Sequence, residues 1–111
     1  MADYTISMEG IPGETFRMSA LNSSALGIDS SLLANADGNS IIGLLVQAEG
    51  NAIRISFGGV TPVNVAPKVG HKLEDGQVWL IGSPQGCKSF KVINDVSGSV
   101  GIVQGTPFYE V

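Results

Sequence analysis

Asn51-Ala52-Ile53-Arg54-Ile55-Ser56-Phe57 is the stretch whose reading decides the fold class. Successive side chains of an extended chain point to opposite faces, so Ile53, Ile55 and Phe57 share one face while Arg54 and Ser56 share the other. That alternation predicts a half-buried strand. Upstream, Ser40 to Ala48 is apolar on both faces except at its ends and predicts a buried strand. Glu49-Gly50-Asn51 between the two supplies turn chemistry, so a hairpin is expected there. Downstream, Gly58-Gly59 and Thr61-Pro62 end the strand, because proline withholds a ladder donor and glycine accepts turn geometry.

The same grammar extends to both ends of the chain. Tyr4 to Met8 alternates, Gly10-Ile11-Pro12-Gly13 reads as a turn, and Thr15 to Met18 as the hairpin partner, with Phe16 and Met18 on one face. Ser19 to Asn39 is the least regular section, a long connection in which Asp29 caps one helical turn at most. Val69 to Leu73 and Gln77 to Ile81 are strands about the turn Glu74-Asp75-Gly76, and Gly82-Ser83-Pro84-Gln85-Gly86 closes the second. Ser89 to Ile93 alternates with Phe90 and Val92 on one side, and Asn94-Asp95 with Ser97-Gly98 reads as another turn. Val100 to Val103 and Phe108 to Val111 give a last strand or pair, interrupted by Gly105-Thr106-Pro107.

Fifteen glycines and five prolines leave little room for helices of ordinary length. The expectation is an all-β fold: one domain over residues 1–111, a small antiparallel β-sandwich or barrel of about seven to nine short strands, with at most one short helix. A chain of 111 residues fits one domain, and with 43% hydrophobic and 14% charged residues it is composed like a folded protein.

Composition also bears on function. A net charge of −4, with the six basic residues scattered through the chain, argues against a nucleic-acid surface. The apolar run Ile41-Ile42-Gly43-Leu44-Leu45-Val46 is too short to span a bilayer, and the N-terminus shows no basic region followed by a long apolar one; neither a membrane span nor a secretory signal is expected. The single Cys87 excludes an intrachain disulfide and reads as a structural thiol.

Each residue that could suggest chemistry has a plainer reading. His71 lacks a second ligand at metal spacing and reads as a structural or surface histidine; sixteen positions separate it from Cys87, with no motif around either. Asp37-Gly38-Asn39 and Glu74-Asp75-Gly76 read as turns, since neither run has the alternating ligands and terminal Glu of a calcium loop. Gly58-Gly59 lacks the lysine and following helix of a phosphate loop. Glu9 with Glu14, or Glu74 with Asp75, would be the carboxylate pairs of a glycosidase, and Trp79 reads as a core anchor. No catalytic, metal-binding or cofactor-binding residue is assigned, no cofactor is expected, and the chain is read as a non-enzyme.

In order along the chain stand Ala52-Ile53-Arg54-Ile55-Ser56-Phe57-Gly58-Gly59, Thr61-Pro62, Val69-Gly70-His71-Lys72-Leu73, Asp75-Gly76-Gln77 and Ser89-Phe90-Lys91-Val92-Ile93. This succession resembles small phage and prophage virion-associated β proteins, over about two thirds of the chain. It departs from them at Gly101-Ile102-Val103-Gln104-Gly105-Thr106-Pro107, where they carry a simple terminal strand. The resemblance implies a structural or accessory component of a virion, a capsid decoration or a head or tail part. Such a protein is made in the host cytoplasm, associates with itself and with other virion proteins, and binds neither nucleic acid nor membrane. Ser19 to Asn39 and Thr106 to Val111 are the segments expected to make oligomer contacts. The rival reading from another class is a carbohydrate- or cell-surface-binding β-sandwich, which would expose Trp79, Tyr4 or Tyr109. A small enzyme would instead bring His71 to Cys87 and an acidic residue inside a cleft.

Overall fold

In a computed structural model, described for residues 10–18, 26–96, 99 and 101–111, the chain forms two antiparallel sheets closed on one apolar core. Its strands are β1 (Ile11–Pro12), β2 (Phe16–Met18), β3 (Ile41–Glu49), β4 (Ile53–Ser56), β5 (His71–Leu73), β6 (Val78–Ile81), β7 (Lys91–Asn94) and β8 (Ile102–Tyr109). One sheet, here sheet A, has the order β1-β8-β3-β6, with β2 alongside β1 on the same flank of β8; the other, sheet B, has the order β5-β4-β7. The expected small all-β sandwich is therefore the fold observed.

The pairings are nested. β1 and β2 pair with β8, Leu26 with Val92 of β7, β3 with β6, and β4 with β5. A chain that pairs from its ends inward and is then rolled so that successive pairs lie in two sheets has jelly-roll connectivity. The inner faces supply the core: Leu44, Val46, Ala48, Ile81 and Val103 from sheet A, Ile53, Ile55, Leu73 and Val92 from sheet B, with Phe90 among them. Burying such side chains contributes about 1.5–3 kcal/mol each.

Nested pairing corrects the expected hairpin at Glu49-Gly50-Asn51. β3 and β4 lie in different sheets, and the turn, with Gly50 at φ 87° and its N–H bonded to Asp75 Oδ1 at 2.9 Å, carries the chain across the sandwich. Glu74-Asp75-Gly76 crosses likewise from β5 in sheet B to β6 in sheet A. Gly76, at φ 86°, donates to Ala48 O while Ala48 donates to Gln77 O, the two-against-one arrangement of a glycine bulge.

β8 overturns a second expectation, because Gly105-Thr106-Pro107 does not interrupt it. Its residues from Ile102 to Tyr109 run unbroken between β3 and the β1/β2 flank. Pro107 sits opposite the gap between β1 and β2, where its carbonyl accepts from Gly13 N at 2.8 Å and, lacking an N–H, it donates none in return. At Gly105 the Phe16 ring fills the place of a side chain: a Cβ there would lie 2.5 Å from Phe16 Cζ. Ile11-Pro12, expected in a turn, pairs with β8 as β1, and Phe16–Met18 pairs with β8. Tyr4 to Met8, its expected partner, lies outside the described residues.

Helix α1 (Pro84–Ser89) stands where a closing turn was expected. Ser83 Oγ accepts from Gly86 N at 3.0 Å, Pro84 occupies the first turn, and Cys87 enters the core. The expected helical turn after Asp29 is a 3-10 turn, Ser30–Leu32, whose Ser31 N–H bonds Asp29 Oδ1 at 3.0 Å. Tyr109 O–H donates to Leu32 O at 2.8 Å and ties that turn to the C-terminal strand.

Candidate interaction surface

Sheet B carries an ionic cluster on its outer face. Arg54 lies on β4 opposite the core-facing Ile53 and Ile55, so its charge emerges outward, where Asp95 meets it at 2.6 Å. Lys68 Nζ lies 3.4 Å and Lys72 Nζ 3.6 Å from the same carboxylate, and Lys72 also reaches Glu74 at 2.9 Å. Asp95 is 4% exposed. Burial raises its pKa, but the Arg54 hydrogen bond and charge, with the Lys68 charge, outweigh burial and hold the carboxyl below its ordinary range. Glu74 in turn raises the pKa of Lys72.

The cluster fastens the segment 57–70 over the sheet. Arg54 Nη1 donates to Gly70 O at 2.8 Å, Lys68 Nζ to Asp95 O at 2.9 Å, and Ser56 Oγ to Val60 O. Pro62 is fully buried beneath it. Val63 and Val69 exchange both backbone hydrogen bonds, at 3.0 and 3.1 Å, and close a small loop. Val60, Val63, Val65 and Val69 nevertheless face solvent, Val65 at 62%. The result is an apolar arm on a fixed base. Sequence reading passed over it; the available signal was four valines spaced around Pro62 and Pro67, a run that proline keeps out of a central strand.

A second feature lies where β5 and β6 flank the open side of the sandwich. Trp79 points inward from β6, and the Phe57 and His71 rings each stand 5.6 Å from it, tilted by 44° and 43°. Trp79 is half-buried and packs on the core, while His71 is exposed.

Compared with family models, curated proteins and solved structures, the chain matches none.

The remaining sequence candidates are dispersed. Cys87 is buried, bonded to Ile81 O at 3.9 Å, and burial pushes its thiol up to about 11. The ring partner of His71 is Trp79, and the two candidate reactive residues are not brought together. Asn35 Oδ1 accepts from the N–H groups of Asp37 and Asn39, so Asp37-Gly38-Asn39 is a side-chain-closed turn with Gly38 at φ 81°. Glu74 is engaged by Lys72 and Asp75 by Gly50. Gly58 and Gly59, at φ 69° and 77°, form a turn whose Gly58 N–H meets Ser89 Oγ at 3.2 Å. Among the described residues no group of three or more His, Cys, Asp or Glu side chains is placed to hold a metal, and no helix is long and apolar enough to cross a membrane.

Of the two segments expected at oligomer contacts, the C-terminal one lies mostly within β8. Thr106 to Tyr109 belongs to a central strand flanked on both sides, which leaves Glu110 and Val111 beyond it. In the other, residues 26–39 are partly packed on the core through Ile28 and Leu33. Tyr109 is buried, Tyr4 lies outside the described residues, and an open pocket of about 340 Å³ lies between Phe16, Met18, Leu26 and Leu32.

Proposed function

We propose that this protein is a non-enzymatic structural or accessory component of a phage-type virion that attaches through protein contacts made by the valine arm. The observation that carries this reading is the arm itself. Solvent-facing valines on a segment clamped by an ionic cluster about the buried Asp95 present apolar surface without the ordering cost of a loose loop. Attachment to a symmetric lattice multiplies such modest contacts. Jelly-roll sheets occur in capsid and lectin domains alike, which is consistent with this role and decides nothing alone.

The test is co-sedimentation with purified particles of the phage or induced prophage whose genome encodes the chain. The expected result is the protein in the particle band at a copy number set by lattice symmetry, and a Val63→Asp, Val65→Asp variant left in the soluble fraction. Absence of the wild-type protein from the particle sinks the proposal.

The Phe57-Trp79-His71 rings favour one further reading, a glycan site at the open side of the sandwich. A glycan array that gives signal with the wild type and none with Trp79→Ala would move that reading ahead of the first.

A further inference from the structure

We infer that β6 is a self-association edge through which sheet A continues into the same sheet of a second copy of this chain. The inference rests on the reading that the protein works by protein contacts, and it assigns one of them to a different surface from the arm. A sheet edge is a row of unpaired backbone donors and acceptors, and monomeric proteins blunt it with charge, proline or a covering segment. Three of the four flanks here carry such a device. The β1/β2 flank has Pro12 and Arg17; β5 has His71 and Lys72; β7 is covered where Leu26 exchanges hydrogen bonds of 2.9 and 2.8 Å with Val92.

Among the described residues, β6 has none of these. It reads Val78-Trp79-Leu80-Ile81, without charge or proline, and Val78 is 43% exposed. Its register fixes what it presents. Ala48 N–H bonds Gln77 O, and the pairs Val46 with Trp79 and Leu44 with Ile81 follow two residues apart, so Trp79 and Ile81 turn their backbone groups to β3. Val78 and Leu80 therefore turn theirs to the free side.

A second β6 running antiparallel satisfies both residues at once. With Trp79 opposite its own copy on a twofold axis, Val78 faces Leu80 of the second copy and Leu80 faces its Val78. Both pairs exchange two hydrogen bonds, and the two apolar side chains cover each other on the outer face. Charge favours the antiparallel sense. The N-terminal end of β6 follows Asp75, which has no cation beside it among the described residues, and the C-terminal end leads into α1 with Lys88; an antiparallel partner sets unlike ends together, a parallel one like ends. On the neighbouring edge the Lys72 charge is already matched by Glu74. A contact of four backbone hydrogen bonds and four apolar side chains belongs to the small, weak class, so the dimer is expected to depend on concentration.

Light scattering coupled to size exclusion, from a few micromolar to about 1 mM, should show the wild-type mass rising from 11.5 kDa towards twice that value. Val78→Lys, which adds an edge lysine at an exposed position, is expected to abolish the rise; Val65→Lys on the arm is expected to leave it intact. Hydrogen exchange on the wild type supplies a readout that needs no variant: the Val78 and Leu80 amides should gain protection with concentration. A monomeric mass throughout, unprotected Val78 and Leu80 amides at the highest concentration, or a dimer broken by Val65→Lys and spared by Val78→Lys overturns the inference. Particle co-sedimentation is read separately, so failure of the virion role and failure of the edge remain distinct results.

Discussion

The outer faces of the two sheets are built on opposite principles. Sheet B is covered: segment 57–70 lies over it, Pro62 and Ile93 are buried there, and three cations converge on Asp95. Sheet A carries Leu45, Leu80 and Thr106 side by side on its outer face, all half-buried, with Gln47, Gln104 and the exposed Val78 beside them. The difference shows where folding energy and surface availability part company. A face that holds its cover through one buried carboxylate is sensitive to losing it, because Arg54 and Lys68 left behind are partly desolvated. A face left half apolar adds less to stability and stays available for contact.

Asp95→Ala should break the comparison most severely. Arg54 and Lys68 would keep their charges without the carboxylate between them, and the expected loss is about 2 kcal/mol, since the Lys68 and Lys72 side chains are themselves partly solvated; urea denaturation at pH 7 measures it. The valine arm should then become susceptible to limited proteolysis ahead of either sheet.

Acid should reproduce part of that loss in the wild type. The folded pKa of Asp95 lies below its unfolded value, so the unfolded chain binds the proton more readily. The stabilisation is present above the unfolded value near 3.9 and is lost as pH falls through the depressed folded value. Denaturation midpoints from pH 7 downward should show this acid limb, flattened in Asp95→Asn.

Leu45→Gln, on the outer face of sheet A, should cost about 1 kcal/mol or less, since the side chain is only half-buried between Leu80 and Thr106. A loss as large as that of Asp95→Ala would mean that sheet A is covered too. Val65→Ser is the smallest change, expected within about 0.5 kcal/mol in thermal or urea denaturation, because the arm is held by its ions and by Pro62 and not by its exposed valines.

Much of the strand content was legible. β3, β4, β6 and β7 lie within one or two residues of the apolar runs and alternations that predict them, because the two-residue period is a local property of the chain. Helix α1 was missed although Ser83 and Pro84 are start signals; six residues containing Gly86 offer no helical period to set against a turn. Pro107 and Gly105 were read as a break because their meaning depends on neighbours far away in sequence. One sits opposite a gap between β1 and β2, the other beneath the Phe16 ring. Asp95 was read as turn chemistry, and nothing near it in sequence announces Arg54, Lys68 or Lys72 as its partners.

The sequence by itself determined that the chain is all-β, which residues alternate into strands, and that turns punctuate them closely, since these follow from backbone geometry and side-chain polarity over a few residues. Only the tertiary structure decided which strands pair, that the Glu49–Asn51 turn crosses between sheets where a hairpin was expected, and that three cations meet one buried carboxylate. Nested pairing joins residues as distant as Ile11 and Tyr109. Each strand's alternation fits several partners equally well, and the choice among them is made by burial of the whole core at once.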